Sequence, residues 1–161
     1  KAETNLGDSM TKTFHSQYAD NHQESTGLLF ARVYNAWHGR VKAALQKVGL
    51  THPQFIILTS LGALELQQDL ITQVNLAAFS DMDVMTVSQI LKLLLKKGLV
   101  ERREHPQDSR AKVVFLTDAG RERMNQALPL IEAIDQTYFG QLEEQLSVFN
   151  RLLIKLEENH G

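Results

Sequence analysis

The sequence predicts a mainly α-helical chain with one small β-hairpin, an α+β arrangement, and three observations carry that expectation. Apolar residues recur every three or four positions over most of the chain, as one face of a helix requires. Glycines fall where those series stop. Between Leu99 and Thr117 the pattern changes to two short β-like runs, LVERREH and AKVVFLT, joined by the turn-forming PQDSR.

Composition sets the frame for these elements. The chain has 161 residues, 43% hydrophobic and 22% charged, the range of one soluble globular domain with a proper core. No run approaches the ~18 apolar residues of a membrane span, and no basic-then-apolar leader opens the chain, so no membrane partner and a cytoplasmic location are expected. With no cysteine there is no disulfide, thiolate metal site or thiol redox switch.

Residues 1–23 are polar and read as a frayed or weakly helical arm. Leu28, Leu29, Val33, Ala36, Trp37, Val41, Ala44, Leu45 and Val48 then predict a long amphipathic helix within 24–50, stopped by Gly49. Thr51 is an N-cap candidate and Pro53 fits a first helical turn, ahead of Phe55, Ile56, Leu58, Leu61 and Leu64. A short third helix runs from Thr72 to Ser80. Asp81 or Asp83 can cap a fourth from Val84 to Lys97, closed by Gly98. After the hairpin, Thr117 and Asp118 cap a helix through Arg121, Met124, Leu128, Ile131 and Ile134, which Pro129 should kink and Gly140 weaken. Leu142, Leu146, Phe149, Leu153 and Leu156 close the chain at spacings of four and three. Such a seam needs a partner, either the N-terminal helix, a second copy of the chain, or both. The regions expected are therefore the arm, an N-terminal dimerisation helix to residue 50, a central part over 51–118, and C-terminal dimerisation helices over 119–161.

The formal net charge of -2 conceals an asymmetry. Between Lys92 and Arg123 nine Lys or Arg stand against five Asp or Glu, while the remainder carries eight against fourteen. A nucleic-acid footprint and a solvated charged face both produce such a segment.

Three short helices followed by a two-stranded hairpin is the order of a winged helix-turn-helix. The stretches GLTHPQFIIL (Gly49 to Leu58) and LLKKGLVERREHPQDSRAKVVFLTDAGRE (Leu94 to Glu122), with their spacing, resemble the MarR family of transcriptional regulators, over about Glu24 to Glu158. The resemblance implies a homodimer formed through the N- and C-terminal helices. It also implies double-stranded DNA as partner, and most often repression from a palindromic operator whose half-sites lie roughly one helical turn, on the order of 34 Å, apart.

Physical chemistry names the candidate DNA contacts. The fourth helix should enter the major groove, with Gln89 able to pair with adenine, Thr86 and Ser88 to serve bases or phosphates, and Lys92 to reach phosphate or guanine. A basic side chain at a hairpin tip can enter the minor groove, where negative potential is concentrated. The family's Asp-x-Arg pair maps onto Asp108 and Arg110, with the carboxylate orienting the arginine. Ser109, Lys112, Arg102 and Arg103 complete the set, while Lys96 and Lys97 fit backbone clamps and a solvated helix end equally well. The plainer reading of the tip is a stable turn with a solubilising arginine. The sequence departs from the commoner family pattern at Leu93 and Leu95, positions often charged in relatives, and the fourth helix has no arginine.

Many relatives are released from DNA by small aromatic ligands. Phe30, Tyr34, Trp37, His38 and Phe55 could line such a pocket here, although an aromatic stripe at helical spacing also suits core or dimer interface. The six histidines at 15, 22, 38, 52, 105 and 160 include no short-spaced ligand pair, so no metal and no cofactor are expected, with a metal-responsive regulator kept as an alternative. No GxSxG, Walker loop, GxGxxG or HExxH motif occurs, and Ser80 beside Asp81 and Asp83 reads better as a helix cap than as a nucleophile, so an enzyme is not expected. A winged-helix module that binds only proteins is the remaining alternative.

Overall fold

The structure, a computed structural model, describes residues 13–159. Among the described residues six α-helices and two strands follow the predicted order, with the hairpin between the fourth and fifth helices. Compactness divides the chain after Ala36.

The part of the expected arm at residues 1–12 lies outside the described residues. The rest is not featureless, because Asn21 Oδ1 accepts the Gln23 N–H at 3.2 Å and caps a 3-10 turn, His22–Glu24. α1 (Thr26–Lys47) begins two residues later than predicted. In the first unit its apolar residues Leu28, Leu29, Phe30, Val33 and Tyr34 are all exposed.

The second unit starts at Trp37 and holds the core. Val41 and Leu45 from the end of α1 are fully buried with Ile57, Leu58 and Leu61 of α2 (His52–Leu64), Leu76 of α3 (Gln73–Ser80), and Val87, Leu91 and Leu94 of α4 (Val84–Lys96). Thr51 caps α2 as the sequence predicts, whereas Thr72, read from sequence as the start of the third helix, is its cap. Thr51 and Thr72 each accept the N–H three residues on, while Gln54 and Asn75 bond back to the cap N–H, so both helices open with a reciprocal capping box. Of the two aspartates, Asp83 caps α4, and Asp81 takes the left-handed conformation that ends α3.

β1 (Val100–Glu104) and β2 (Lys112–Leu116) pair antiparallel, with Arg102 opposite Val114 and Glu104 opposite Lys112. A third piece of backbone joins them, since the Val114 N–H donates to the Ile71 carbonyl at 2.8 Å and Thr72 bridges Val113. A one-residue bridge has no alternation to betray it in sequence.

α5 (Asp118–Phe139) passes through Pro129 without ending. Pro129 and Asn125, whose carbonyl loses its helical donor, are respectively at the helix surface and exposed, so water can satisfy the freed group. The break comes instead after Gly140, in a 3-10 stretch (Gly140–Gln145) where Glu143 sits at φ 50°, ψ -124°. α6 (Leu146–Glu158) follows. The predicted seam is half-buried at Leu142, Leu146, Phe149 and Leu153, with Phe149 stacked 6.2 Å from Phe139, but exposed at Leu156. Val148, Leu152 and Ile154 are exposed beside it.

The join between α4, the hairpin and α5 is the tightest point. Gly98, at φ 70°, lets the Leu99 N–H turn back to the Leu94 carbonyl and its own N–H to that of Leu95, both at 3.0 Å. The Thr117 hydroxyl donates to the Gly98 carbonyl at 2.7 Å and accepts the Gly120 N–H at 2.9 Å, while the Thr117 N–H donates to the Leu99 carbonyl at 3.2 Å. Gly120 lies so close that a Cβ there would overlap the Leu99 carbonyl.

Gly120→Ala should therefore destabilise the fold by about 3 kcal/mol, the upper part of the usual overpacking range, because the obstructing atom is backbone. Gly39→Ala, at an open helical position, should stabilise by up to about 1 kcal/mol. Urea midpoints at unchanged slope measure both.

Candidate functional site

The outward face of α4 follows from its inward one. Val87, Ile90, Leu91 and Leu94 are buried, and a rotation of about 100° per residue puts Met85, Gln89 and Lys92 opposite them. Lys92 is exposed as expected, Gln89 is open at the surface of that face, and Ser88 is turned toward its edge. Thr86 is exposed, but its N–H and hydroxyl both donate to the Asp83 carboxylate at 2.8 Å. These two bonds hold the Asp83 carboxyl below its ordinary pKa. Met85, which residue type alone did not suggest, is 75% exposed, with Val84 at 45% and Leu93 at 49% on the flanks. Helical phase counted from the buried series was the signal that could have found it.

The wing tip reaches the same side of the fold. A cleft of about 180 Å³ is lined by Thr72, Gln73, Val74, Val84, Arg110, Ala111 and Lys112, so the basic end of β2 faces the N-termini of α3 and α4. Asp108 makes an Asx turn: its Oδ1 accepts the Arg110 N–H at 3.0 Å and its carbonyl accepts the Ala111 N–H at 3.0 Å. Here the carboxylate fixes the arginine through its backbone, where the family resemblance implied a hold on the side chain. The reason is local, because the carboxylate of residue i readily meets the N–H of residue i+2 in such a turn. Ser109 and Arg110 are both exposed.

The basic segment then separates into two groups. Lys97 Nζ donates to the Gly49 carbonyl at 2.6 Å and to Oε1 of buried Gln54 at 2.9 Å, and Arg123 donates to the Val48 carbonyl at 3.0 Å. Both cations thus sit on carbonyls just past the C-terminus of α1, where positive charge is favoured. Arg121 pairs with Glu65 at 2.8 Å and ties α5 to α2. Arg102, half-buried, donates to Gln73 Oε1 at 3.0 Å. Arg103 pairs with Glu101 at 2.6 Å and lies 4.9 Å over the Phe115 ring, and Lys112 stands 3.7 Å from Glu104. Lys92, Lys96 and the Arg110 guanidinium make no hydrogen bond or ion pair among the described residues.

The residues expected to line a ligand pocket divide between different environments. Phe30 is 60% exposed and Tyr34 is exposed, both in the first unit. Phe55 is 7% exposed and belongs to the core, because α2 turns that face toward the buried cluster. Trp37 and His38 do gather, with partners the sequence did not supply. Trp37 Nε1 donates to Asp135 Oδ1 at 2.8 Å, and its ring lies 5.6 Å from His52 and 6.1 Å from Phe139. The rings of His38 and His52, fourteen positions apart in sequence, are 5.0 Å apart. Burial, then the neighbouring His38, lowers the pKa of His52, against a smaller opposing pull from Asp135. A cleft of about 470 Å³ adjoins the cluster, lined by Asp135, Gln136, Phe139, Gly140, Leu146 and Asn150. Among the described residues no three His, Asp or Glu side chains gather to hold a metal ion, and no helix is long and apolar enough to cross a membrane.

Known proteins share both the sequence and the geometry. The sequence model of the MarR family matches residues 50–112, from the cap of α2 to the start of β2. The HTH-type transcriptional regulator YdcH of Bacillus subtilis (strain 168), itself uncharacterised, is 38% identical over 127 residues, covering 79% of this chain and 86% of the relative. Among solved structures, the S. aureus MepR–DNA complex superimposes with a TM-score of 0.76 at 28% identity, over 83% of this chain and 96% of that one. CouR from Rhodococcus jostii RHA1 bound to p-coumaroyl-CoA gives 0.73 at 25% identity, over 86% and 94%. These relatives are regulators rather than enzymes, and their fold is the winged helix-turn-helix with flanking helices seen here. The chain belongs to the MarR family of transcriptional regulators.

Proposed function

We propose that the protein is a homodimeric repressor that binds a two-fold-symmetric operator and leaves it when a small aromatic ligand binds beside Trp37. The observation that carries the DNA part is the shared side of α4 and the wing: Gln89 and Lys92 face outward, and Arg110 and Lys112 line the cleft that also borders the start of α4. The solved complex of MepR with DNA supports the same use of this fold. Lys92, Lys96 and Arg110 have their charges available for phosphates or a groove, Ser109 can add a hydroxyl at the tip, and Arg102, Arg103 and Lys112 are partly engaged within the hairpin region. The apolar residues exposed on α1 and α6, among them Leu29, Val33, Leu152 and Ile154, support a second copy of the chain as their cover.

The effector part rests on the Trp37, His38, His52 and Asp135 cluster and its adjoining cleft, and CouR is a relative of this fold solved with an aromatic thioester. A ring can stack on Trp37 while an imidazole meets a polar substituent. For release, the ligand must favour one dimer geometry over the other, since equal affinity for both shifts no population.

Fluorescence anisotropy with the intergenic DNA beside the gene and a scrambled duplex, at two salt concentrations, tests the reading. Preference for the native duplex with affinity falling as salt rises is expected; no binding to any duplex at low salt would favour the protein-only module. Arg110→Ala should cost about 1–3 kcal/mol, and flatten the log–log salt slope by about 0.9 for each phosphate it ceases to neutralise. Asp108→Ala should weaken binding in the same direction by loosening the turn. Trp37 is the one tryptophan, so titration with p-coumarate or its coenzyme A thioester should quench its emission and release the duplex together; quenching with DNA affinity intact would detach the site from regulation. Because the folded pKa of His52 lies below its unfolded value of about 6.5, its contribution to stability is present above that pH and is lost as pH falls toward the folded value. Thermal midpoints between pH 7 and 5 should therefore fall less for His52→Gln than for the parent.

A further inference from the structure

We infer that Met85 is a base-reading residue of this regulator and selects thymine through its 5-methyl group, an inference that rests on the DNA-binding reading above. Helical phase puts Met85 on the stripe of Gln89 and Lys92, one turn nearer the N-terminus of α4, directly opposite the buried Val87 and Leu94. In a helix-turn-helix the N-terminal part of the recognition helix approaches the base edges most closely. The polar candidate beside it, Thr86, has its hydroxyl committed to Asp83 and lies nearer the buried edge of the helix. The side chain best placed at the approaching end is therefore an apolar thioether, 75% exposed, with Val84 next to it.

The major groove limits what such a side chain can recognise. Three of the four bases present only hydrogen-bonding groups at their polar edge positions, and thymine alone adds a methyl group. Against thymine, Met85 buries methyl on thioether. Against the amino groups of cytosine or adenine it would strip water from a donor and return no acceptor of comparable strength, which is a penalty as well as a lost gain. The cations around it, Lys92 on the same helix and Arg110 and Lys112 on the wing, suit the phosphates flanking that base and do not compete for its methyl group.

The test begins by selecting the best-bound duplex from a random library with the full chain. Each thymine of that duplex is then replaced in turn by deoxyuridine, which removes only the methyl group, and anisotropy is measured for the parent and for Met85→Ala at one salt concentration. One thymine in each half-site should, on replacement, weaken parental binding about fourfold, the value of one buried methyl-sized group. Met85→Ala should bind the thymine and uracil duplexes alike at that position, with a thermal midpoint close to the parent's because the side chain is exposed. Uracil tolerated everywhere by the parent, or the same uracil penalty persisting in Met85→Ala, would overturn the assignment while leaving the DNA-binding reading in place. Failure to enrich any duplex would remove that reading and this assignment with it.

Discussion

The Thr117 hydroxyl holds together the parts of the molecule that have to be aligned. It donates to the carbonyl of Gly98, where α4 ends, and accepts the N–H of Gly120, where α5 begins, while the Thr117 backbone N–H takes the Leu99 carbonyl. α4, the hairpin that follows it and α5 therefore leave one small knot of hydrogen bonds. Its geometry requires glycine on both sides, at Gly98 for the left-handed turn and at Gly120 for the close approach of backbone to backbone. The family-like run KKGLVER and the later LTDAG are two halves of this junction. Their physical meaning is to fix the angle at which the α4 face and the wing are presented.

The basic residues divide between building that frame and facing outward from it. Lys97, Arg121 and Arg123 cluster in sequence with the wing cations, yet they act on helix ends and on Glu65. Each neutralises a carbonyl end or a carboxylate that the fold would otherwise leave to water. The charge count of the segment thus overstates its electrostatic footprint. Of the other six cations, Arg102, Arg103 and Lys112 are engaged by Gln73, Glu101 and Glu104, which leaves Lys92 and Lys96 on α4 and Arg110 at the wing tip on surfaces that the fold aims outward.

The aromatic and histidine cluster occupies the junction of three helices, with Trp37 on α1, His52 opening α2 and Asp135 on α5. A group bound there would touch the helix that begins the winged domain and the helix that leaves it. Burial, and then the His38 ring 5.0 Å away, disfavours charge on the His52 imidazole. Of these three helices, α5 also begins at the Thr117 junction.

By itself the sequence determined the order of elements, because each is signalled locally: Thr51 and one of Asp81 or Asp83 as caps, Gly49 and Gly98 as stops, and the change of period at Leu99. It also identified most of the outward polar face of α4, since burial on one side of a helix dictates the other. Tertiary structure alone decided which members of each class do which work. Residue type could not distinguish Lys97 from Lys92, and the difference lies in a carbonyl 48 positions away. His38 and His52 looked unrelated because nothing in a spacing of fourteen brings them together; the loop between α1 and α2 does. Phe55 shared its aromatic character with Trp37 but not its environment, and α2 turned it into the core. Local hydrogen-bonding and helical phase are written in short stretches of sequence, whereas pairing across helices depends on the packing of the whole core and becomes visible only there.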